Sequence, residues 1–266
     1  MPVGIITGSG THSLPGLEVG YAGTRGTPYG EVEIAGGRLA GVDVLHISRH
    51  GAGHARLSNH VPHRADIWAL HEMGATAAIG CTACGAVDPT LELGSLVVFD
   101  DLHFISNRLP DGSLCTFSDR PGDPRRGHWI LHGGPYSAEV RAALLAAAER
   151  SGHGARDGGV YGHVDGPRFN TPAEIAQLAA AGVSAVSQTG GPETVLCGEL
   201  ELPFALIGFV TDYANEVMPG EPTPVATLSA MMARSPGVFA DVLEAALPAL
   251  ADGSATAAGT MYRFES

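Results

Sequence analysis

Positive charge is scarce in this chain. Its 266 residues carry 15 Lys+Arg against 28 Asp+Glu, a formal net charge of −13. A surface built for a polyanion shows the opposite balance, which argues against nucleic acid as a partner and against attraction to an anionic membrane surface. A small anion stays possible where local Arg, His and backbone N–H groups outweigh the global field. No run of about 18 apolar residues exists to span a bilayer. The opening MPVGIITGSG lacks a basic stretch and breaks at glycines too soon for a secretory leader. Only four cysteines occur (Cys81, Cys84, Cys115, Cys197), with no extracellular signature, so reduced thiols and a cytoplasmic setting are expected. Cys81-x-x-Cys84 has no second such pair for a zinc ribbon, and Ala86-Val87-Asp88-Pro89 breaks the helix a redox pair would open. His54, His60 and His63 are not accompanied by H-E-x-x-H, so no metal is expected.

What is present is apolar sequence cut into short pieces. Hydrophobic residues make up 44% of the chain, enough for a sizeable core, and the 37 Gly and 18 Pro are scattered as turn punctuation. Strands are predicted at Val3–Thr7, Gly30–Ala40, Val42–Ser48, Thr76–Cys81, Ser95–Asp101, Asp157–Val164, near Ala185, and at Leu202–Thr211. Helices are predicted at Arg64–Met73, Ser137–Ser151, from Thr171, and at Pro224–Ala233 and Val238–Leu250. Residues 107–135 read as a long irregular loop holding His128 and His132, and Pro219–Pro224 as a mobile one. The alternation predicts an α/β fold with a central mixed, largely parallel sheet flanked by helices. The segment 252–266 lacks periodicity and reads as loosely held.

Polar groups gather where the apolar strands stop. Ser9 follows the first strand on a glycine turn, as a plain turn serine or a ligand hydroxyl. A dinucleotide fingerprint is ruled out, because Ser13 stands where the third glycine belongs and Leu14-Pro15-Gly16 spoils the following helix. Arg49-His50 ends another strand, as a solvated pair or an anion site. Thr82-Ala83-Cys84-Gly85 reads as a tight turn with the makings of an anion nest. Asp212 ends the most apolar strand, as a site residue or a helix N-cap. Between Gly162 and Glu193, an aromatic on a turn (Phe169) precedes a small polar loop, Ser187-Gln188-Thr189-Gly190-Gly191. Parallel strands bring such ends to one edge of the sheet, where a flat, polar ligand is expected to bind.

Taken in order, Gly4-Ile5-Ile6-Thr7-Gly8-Ser9-Gly10, Arg49-His50-Gly51 with His54, Ala65-Asp66-Ile67-Trp68-Ala69-Leu70, Thr82-Ala83-Cys84-Gly85, Asp165-Gly166-Pro167-Arg168-Phe169 with Ala173-Glu174, Thr189 with Pro192-Glu193 and Glu199, and Thr211-Asp212-Tyr213 resemble the trimeric purine nucleoside phosphorylases, most closely the 5′-methylthioadenosine phosphorylase branch. The resemblance implies a single domain over 1–251, a homotrimer, and cleavage of a 5′-modified adenosine by inorganic phosphate, a co-substrate, with no cofactor. It implies a phosphate site of Ser9, Arg49, His50, Thr82, Ala83 and Thr189. It also implies Phe169 stacked on the purine, the catalytic Asp212 facing its N7 and 6-position, and Val225 and Leu228 walling the 5′-group. A residue of a neighbouring subunit's 107–135 loop, His128 or His132, would join that wall.

The departures bear on the sugar and the base. Gln188 stands where the family places a methionine under the ribose, Val61-Pro62-His63 replaces Val-Asn-Tyr, and Ala214 replaces a second acid. They leave open an unusual 5′-group or sugar, a 6-oxopurine substrate, or a homologue that binds nucleoside without turning it over.

Overall fold

The computed structural model describes residues 1–9, 11–218 and 222–264. Apolar runs form strands β1 (Val3–Thr7), β4 (Val42–Ser48), β5 (Ala77–Ala86) and β12 (Phe204–Tyr213). The shorter or edge strands are β2 (Glu18–Thr27), β3 (Gly30–Leu39), β6 (Leu96–Val98), β7 (Asp101–His103), β8 (Gly127–Ile130), β9 (Arg156–Asp157), β10 (Val160–His163), β11 (Val183–Ser187) and β13 (Thr260–Arg263). Helices are α1 (His63–Glu72), α2 (Ala138–Arg150), α3 (Pro172–Ala180), α4 (Gly190–Glu199) and α5 (Val225–Ala246).

The main sheet runs β2-β3-β4-β1-β5-β11-β10-β7, with β12 on β5, β6 on β12 and β9 on β6. β4, β1, β5 and β12 are mutually parallel, as are β11, β10 and β7, while the hairpins β2–β3–β4 and the contacts β11–β5 and β12–β6 are antiparallel. The expected mixed, largely parallel sheet is the one observed. Its two faces carry separate cores. One buries Ile67 and Leu70 of α1 and Leu196 of α4, and the other buries Val140 and Leu144 of α2 and Phe239 and Leu243 of α5. Strand alternation sends Cys81 to one core and Cys84 to the other, so the C-x-x-C pair points to opposite faces and both thiols are free.

One feature of β5 positions everything that follows. β12 occupies one edge of β5 from Ala78 to Ala86. On the other edge β1 ends at Gly80 and β11 joins only at Gly85. The sheet therefore splays over residues 81–84 and opens a gap between the ends of β1 and β11. Thr82–Gly85, expected to form a tight glycine turn, instead continues β5 along that gap.

Other differences have local causes. The helices expected at Pro224–Ala233 and Val238–Leu250 are one helix, α5, running through Pro236. Proline cannot donate to the carbonyl four residues back, and here the Ser235 hydroxyl donates to Met232 O at 3.0 Å in its place. Helix α4 was not foreseen, because its Gly-Gly-Pro start reads as loop; Pro192 falls in its first turn, where no N–H partner is needed. The segment after Asp252 is anchored: Thr256 donates to Glu139, Trp129 Nε1 donates to Ala258 O at 2.9 Å, and β13 pairs with β8. The Pro219–Pro224 loop lies partly outside the described residues, as does Gly10. Among the described residues, no helix is long and apolar enough to cross a membrane.

The core holds several imidazoles in the neutral form. Burial pushes His163 down to about 3, and its Nδ1 has no partner. An unfolded histidine takes up a proton near 6.5 while the folded one does not, so this contribution is present above about pH 6.5 and is lost as pH falls toward 3. His163→Gln is expected to lose about 2 kcal/mol less stability than the parent chain between pH 7 and pH 5. Denaturant unfolding at both pH values measures this; equal losses would show that His163 is protonated in the fold.

Candidate active site

The gap beside β5 is a cavity of about 300 Å³. Five strand ends meet there. The β1 end brings Ser9, the β4 end Arg49 and His50, β5 its Thr82–Gly85 stretch, the β11 end Ser187–Thr189, and the β12 end Asp212 and Ala214. Phe169 and Leu228 also line it. Val225, the first residue of α5, is 76% exposed and does not line the cavity. The wall on that side is Leu228 and Met232, one turn apart on the same helix face. His128 lies on β8 against Phe264, away from this cavity in its own chain.

Arg49 organises the polar end. All 15 basic residues of the chain are arginines, and this one is 1% exposed. Its Nε and Nη2 donate to the two Glu193 carboxylate oxygens at 2.7 and 2.9 Å, and Nη1 donates to Cys81 O at 2.7 Å. That carbonyl lies on the stretch of β5 that has β12 on one edge and no strand on the other. Three of the five guanidinium donors are thus taken, leaving one N–H on Nη1 and one on Nη2. Gly8 passes directly over the guanidinium, and a Cβ there would collide with Nη1. Burial pushes the Glu193 carboxyl up while the adjoining guanidinium pulls it back.

His50 is neutral. Burial, then the charge of Arg49, pushes it down to about 3. Its Nδ1 lies 2.9 Å from Arg56 O. A carbonyl only accepts, so Nδ1 carries the proton and Nε2 keeps a lone pair. The ring stacks on His54 at 4.3 Å. Opposite, the Thr82 hydroxyl pairs with that of Ser187 at 3.0 Å. Thr189 is the N-cap of α4, and its side chain makes no cap bond. Gly190 N donates to Tyr161 Oη at 3.0 Å and Pro192 has no N–H, so it is the Thr189 residue itself that this end presents to the cavity.

The other end combines an acid with an aromatic. Burial pushes the Asp212 carboxyl above its ordinary range, partly offset by Thr211 Oγ1, which donates to Oδ1 at 2.7 Å. The rise favours the protonated acid, with Oδ1 already engaged by Thr211. Phe169 is 64% exposed, a ring held out on a loop with little packed against it. Gln188 lies between the two ends: its Oε1 accepts from Ser58 Oγ at 2.8 Å and its Nε2 donates to Arg168 O at 3.0 Å. Ser58, Asn170, Asn215 and Met232 also line the cavity and were missed from sequence. Only Met232 carried a legible signal, its helical spacing from Leu228. Among the described residues, no group of three or more His, Cys, Asp or Glu could hold a metal ion.

The sequence profile of the Phosphorylase superfamily matches residues 2–248. A 6-oxopurine nucleoside phosphorylase of Pyrococcus furiosus is 33% identical over 249 residues, 92% of each chain. An S-methyl-5′-thioadenosine phosphorylase of Mycobacterium tuberculosis is 34% identical over 255 residues, 94% of this chain and 90% of that one. The structure of methylthioadenosine phosphorylase from Schistosoma mansoni in complex with adenine superposes with a TM-score of 0.83 at 26% identity, covering 93% of this chain and 91% of that one.

The buried pair can be tested by thermodynamics alone. Glu193→Leu strands a buried guanidinium and is expected to cost about 3–5 kcal/mol. Adding Arg49→Met removes the stranded charge, so the double variant is expected to be more stable than Glu193→Leu. Denaturant midpoints decide it; a further loss in the double variant would show that Arg49 does not depend on Glu193.

Proposed function

The chain belongs to the phosphorylase superfamily, and from that premise we propose that it cleaves the N-glycosidic bond of a purine nucleoside with inorganic phosphate, releasing the free base and a pentose 1-phosphate. The observation that carries this reading is a single cavity with an anion-binding end and a desolvated acid beside an exposed aromatic. Phosphate binds at the first end, to the Ser9, Thr82 and Thr189 hydroxyls, the Ala83 backbone and the two free N–H groups of Arg49, while the Nε2 lone pair of His50 accepts from the P–OH. The purine stacks on Phe169 and meets Asp212 at N7 and the 6-position.

The chemistry follows from these positions. The C1′–N9 bond breaks and its electron pair leaves with the base, placing positive charge on the sugar as in glycoside cleavage. Phosphate held beneath C1′ stabilises that charge and closes the new C1′–O bond. The proton on Asp212 passes to N7, so the base departs neutral. Once deprotonated, the same carboxylate accepts from a 6-amino group, whereas it would face the lone pairs of a 6-oxo group. The favoured substrate is therefore a 6-aminopurine nucleoside, and the apolar Leu228 and Met232 suit an uncharged 5′-substituent such as methylthio. The assembly is a homotrimer in which His128 or His132 of a neighbouring 107–135 loop closes the 5′ side.

A panel of adenosine, inosine, methylthioadenosine and methylthioinosine, each with and without phosphate, tests the reading. Turnover is expected only with phosphate and fastest on methylthioadenosine. Equal turnover without phosphate would indicate hydrolysis, and faster methylthioinosine cleavage would transfer the assignment to a 6-oxopurine enzyme. Asp212→Asn is expected to reduce kcat on 6-amino substrates by about 100-fold, the scale of a lost general acid, and on 6-oxo substrates less. An equal loss on both would remove the base-reading role. Arg49→Ala is expected to raise the phosphate KM more than the nucleoside KM; the reverse pattern would misplace the anion end.

A further inference from the structure

Phe169 presents a mostly bare ring from a segment whose backbone is fastened on both sides. The carbonyl before it, Arg168 O, accepts from Gln188 Nε2 at 3.0 Å. The carbonyl after it, Asn170 O, accepts from Asn215 Nδ2 at 2.5 Å. The two amides come from different strands: Gln188 follows β11 and Asn215 follows β12. Those strand ends also carry Thr189 and Asp212, so the ring is referenced to both chemical ends of the cavity at once.

The segment's own ties do not provide this. Arg168 pairs with Glu174 at 2.7 and 2.8 Å, and Glu174 also accepts from Asn170 Nδ2 at 3.1 Å and Thr171 N at 2.9 Å. These bonds fasten residues 168–171 to the first turn of α3, whose Ile175 and Leu178 pack with Val87 and Val183. Without the two amides the segment would be tied only to the first turn of α3, and to neither strand end that carries Thr189 or Asp212. Gln188 is itself held from the far side, where Ser58 Oγ donates to its Oε1 at 2.8 Å. Gly166 leaves room for that junction, since a Cβ there would collide with both Gln188 Oε1 and Ser58 Oγ.

We propose that Gln188 and Asn215 are positioning residues, a two-point clamp that fixes the Phe169 ring as the face on which the purine stacks. This rests on the assignment of Phe169 as the stacking face. The clamp acts on nucleoside binding and leaves phosphate binding alone. It also acts as a unit: release of either flanking carbonyl frees the torsions around Phe169, so loss of the second adds little.

The test is steady-state kinetics with methylthioadenosine and phosphate on Phe169→Ala, Gln188→Met, Asn215→Ala, the Gln188→Met/Asn215→Ala pair and Gly166→Ala. Each single amide variant is expected to raise the nucleoside KM about tenfold, on the scale of one hydrogen bond, with the phosphate KM within about twofold and kcat less affected. The double variant is expected to fall well short of the product of the two singles. Gly166→Ala, which leaves both amides chemically intact, is expected to raise the nucleoside KM as well. A multiplicative double variant, or a silent Gly166→Ala beside an affected Gln188→Met, would mean direct contact with the nucleoside and overturn the clamp. If Phe169→Ala raises the nucleoside KM and the amide variants do not, the clamp fails and the stacking assignment stands. If Phe169→Ala itself is silent, both fall.

Discussion

The buried pair between Arg49 and Glu193 is the constraint on which the rest of this structure depends. It joins the end of β4 to helix α4, across the gap that β1 and β11 leave beside β5. Neither charge could be buried alone, since an unpaired ion in a protein interior costs several kcal/mol. Both β4 and α4 must therefore arrive with their geometry set, and the third bond, to Cys81 O, fixes the guanidinium against β5 as well. A lysine could not replace it, because one ammonium cannot satisfy a carboxylate edge-on and reach a carbonyl at the same time.

Around that anchor the site is assembled by topology. Parallel strands put their carboxyl ends on one side, and the splay of the sheet converts that side into a cavity. Its two ends differ in character because their surroundings differ. At one, hydroxyls of Ser9, Thr82 and Thr189 gather beside an arginine whose charge is already matched. At the other, burial drives a carboxyl toward its neutral form beside an aromatic ring. A purine nucleoside phosphorylase needs such an arrangement: donors for a phosphate at one end and a proton for the departing base at the other.

Much of this was legible in the sequence, and the limits have physical causes. The apolar runs ending in Ser9, Arg49-His50 and Asp212 gave the strands and their polar tips, because burial and strand breaking are local properties of composition. Thr82–Gly85 was legible as a site element but not as a strand, since only the departure of β1 and the late arrival of β11 define its surroundings. The continuity of α5 through Pro236 depends on one serine hydroxyl one residue upstream. The α5 side of the cavity was half legible: Leu228 lines it, while Val225, on the same face but at the exposed start of the helix, falls short and Met232, one turn beyond Leu228, lines it instead. Ser58 and Asn215 carry no motif, and their importance comes from partners 130 and 45 residues away in sequence.

The arginine that marks the anion end contributes no unbalanced charge to it. Glu193 cancels Arg49, His50 is uncharged, and Asp66, pushed up by burial to about 8, is mostly protonated at neutral pH. Outside lies a surface of net charge −13. An approaching anion therefore meets no attractive long-range field and is not steered inward; discrimination begins only at hydrogen-bonding distance, through the directions of a few fixed dipoles. Salt screens the repulsion from that net charge, so entry of an anion is expected to quicken as ionic strength rises, while what meets it inside is short-range and changes little.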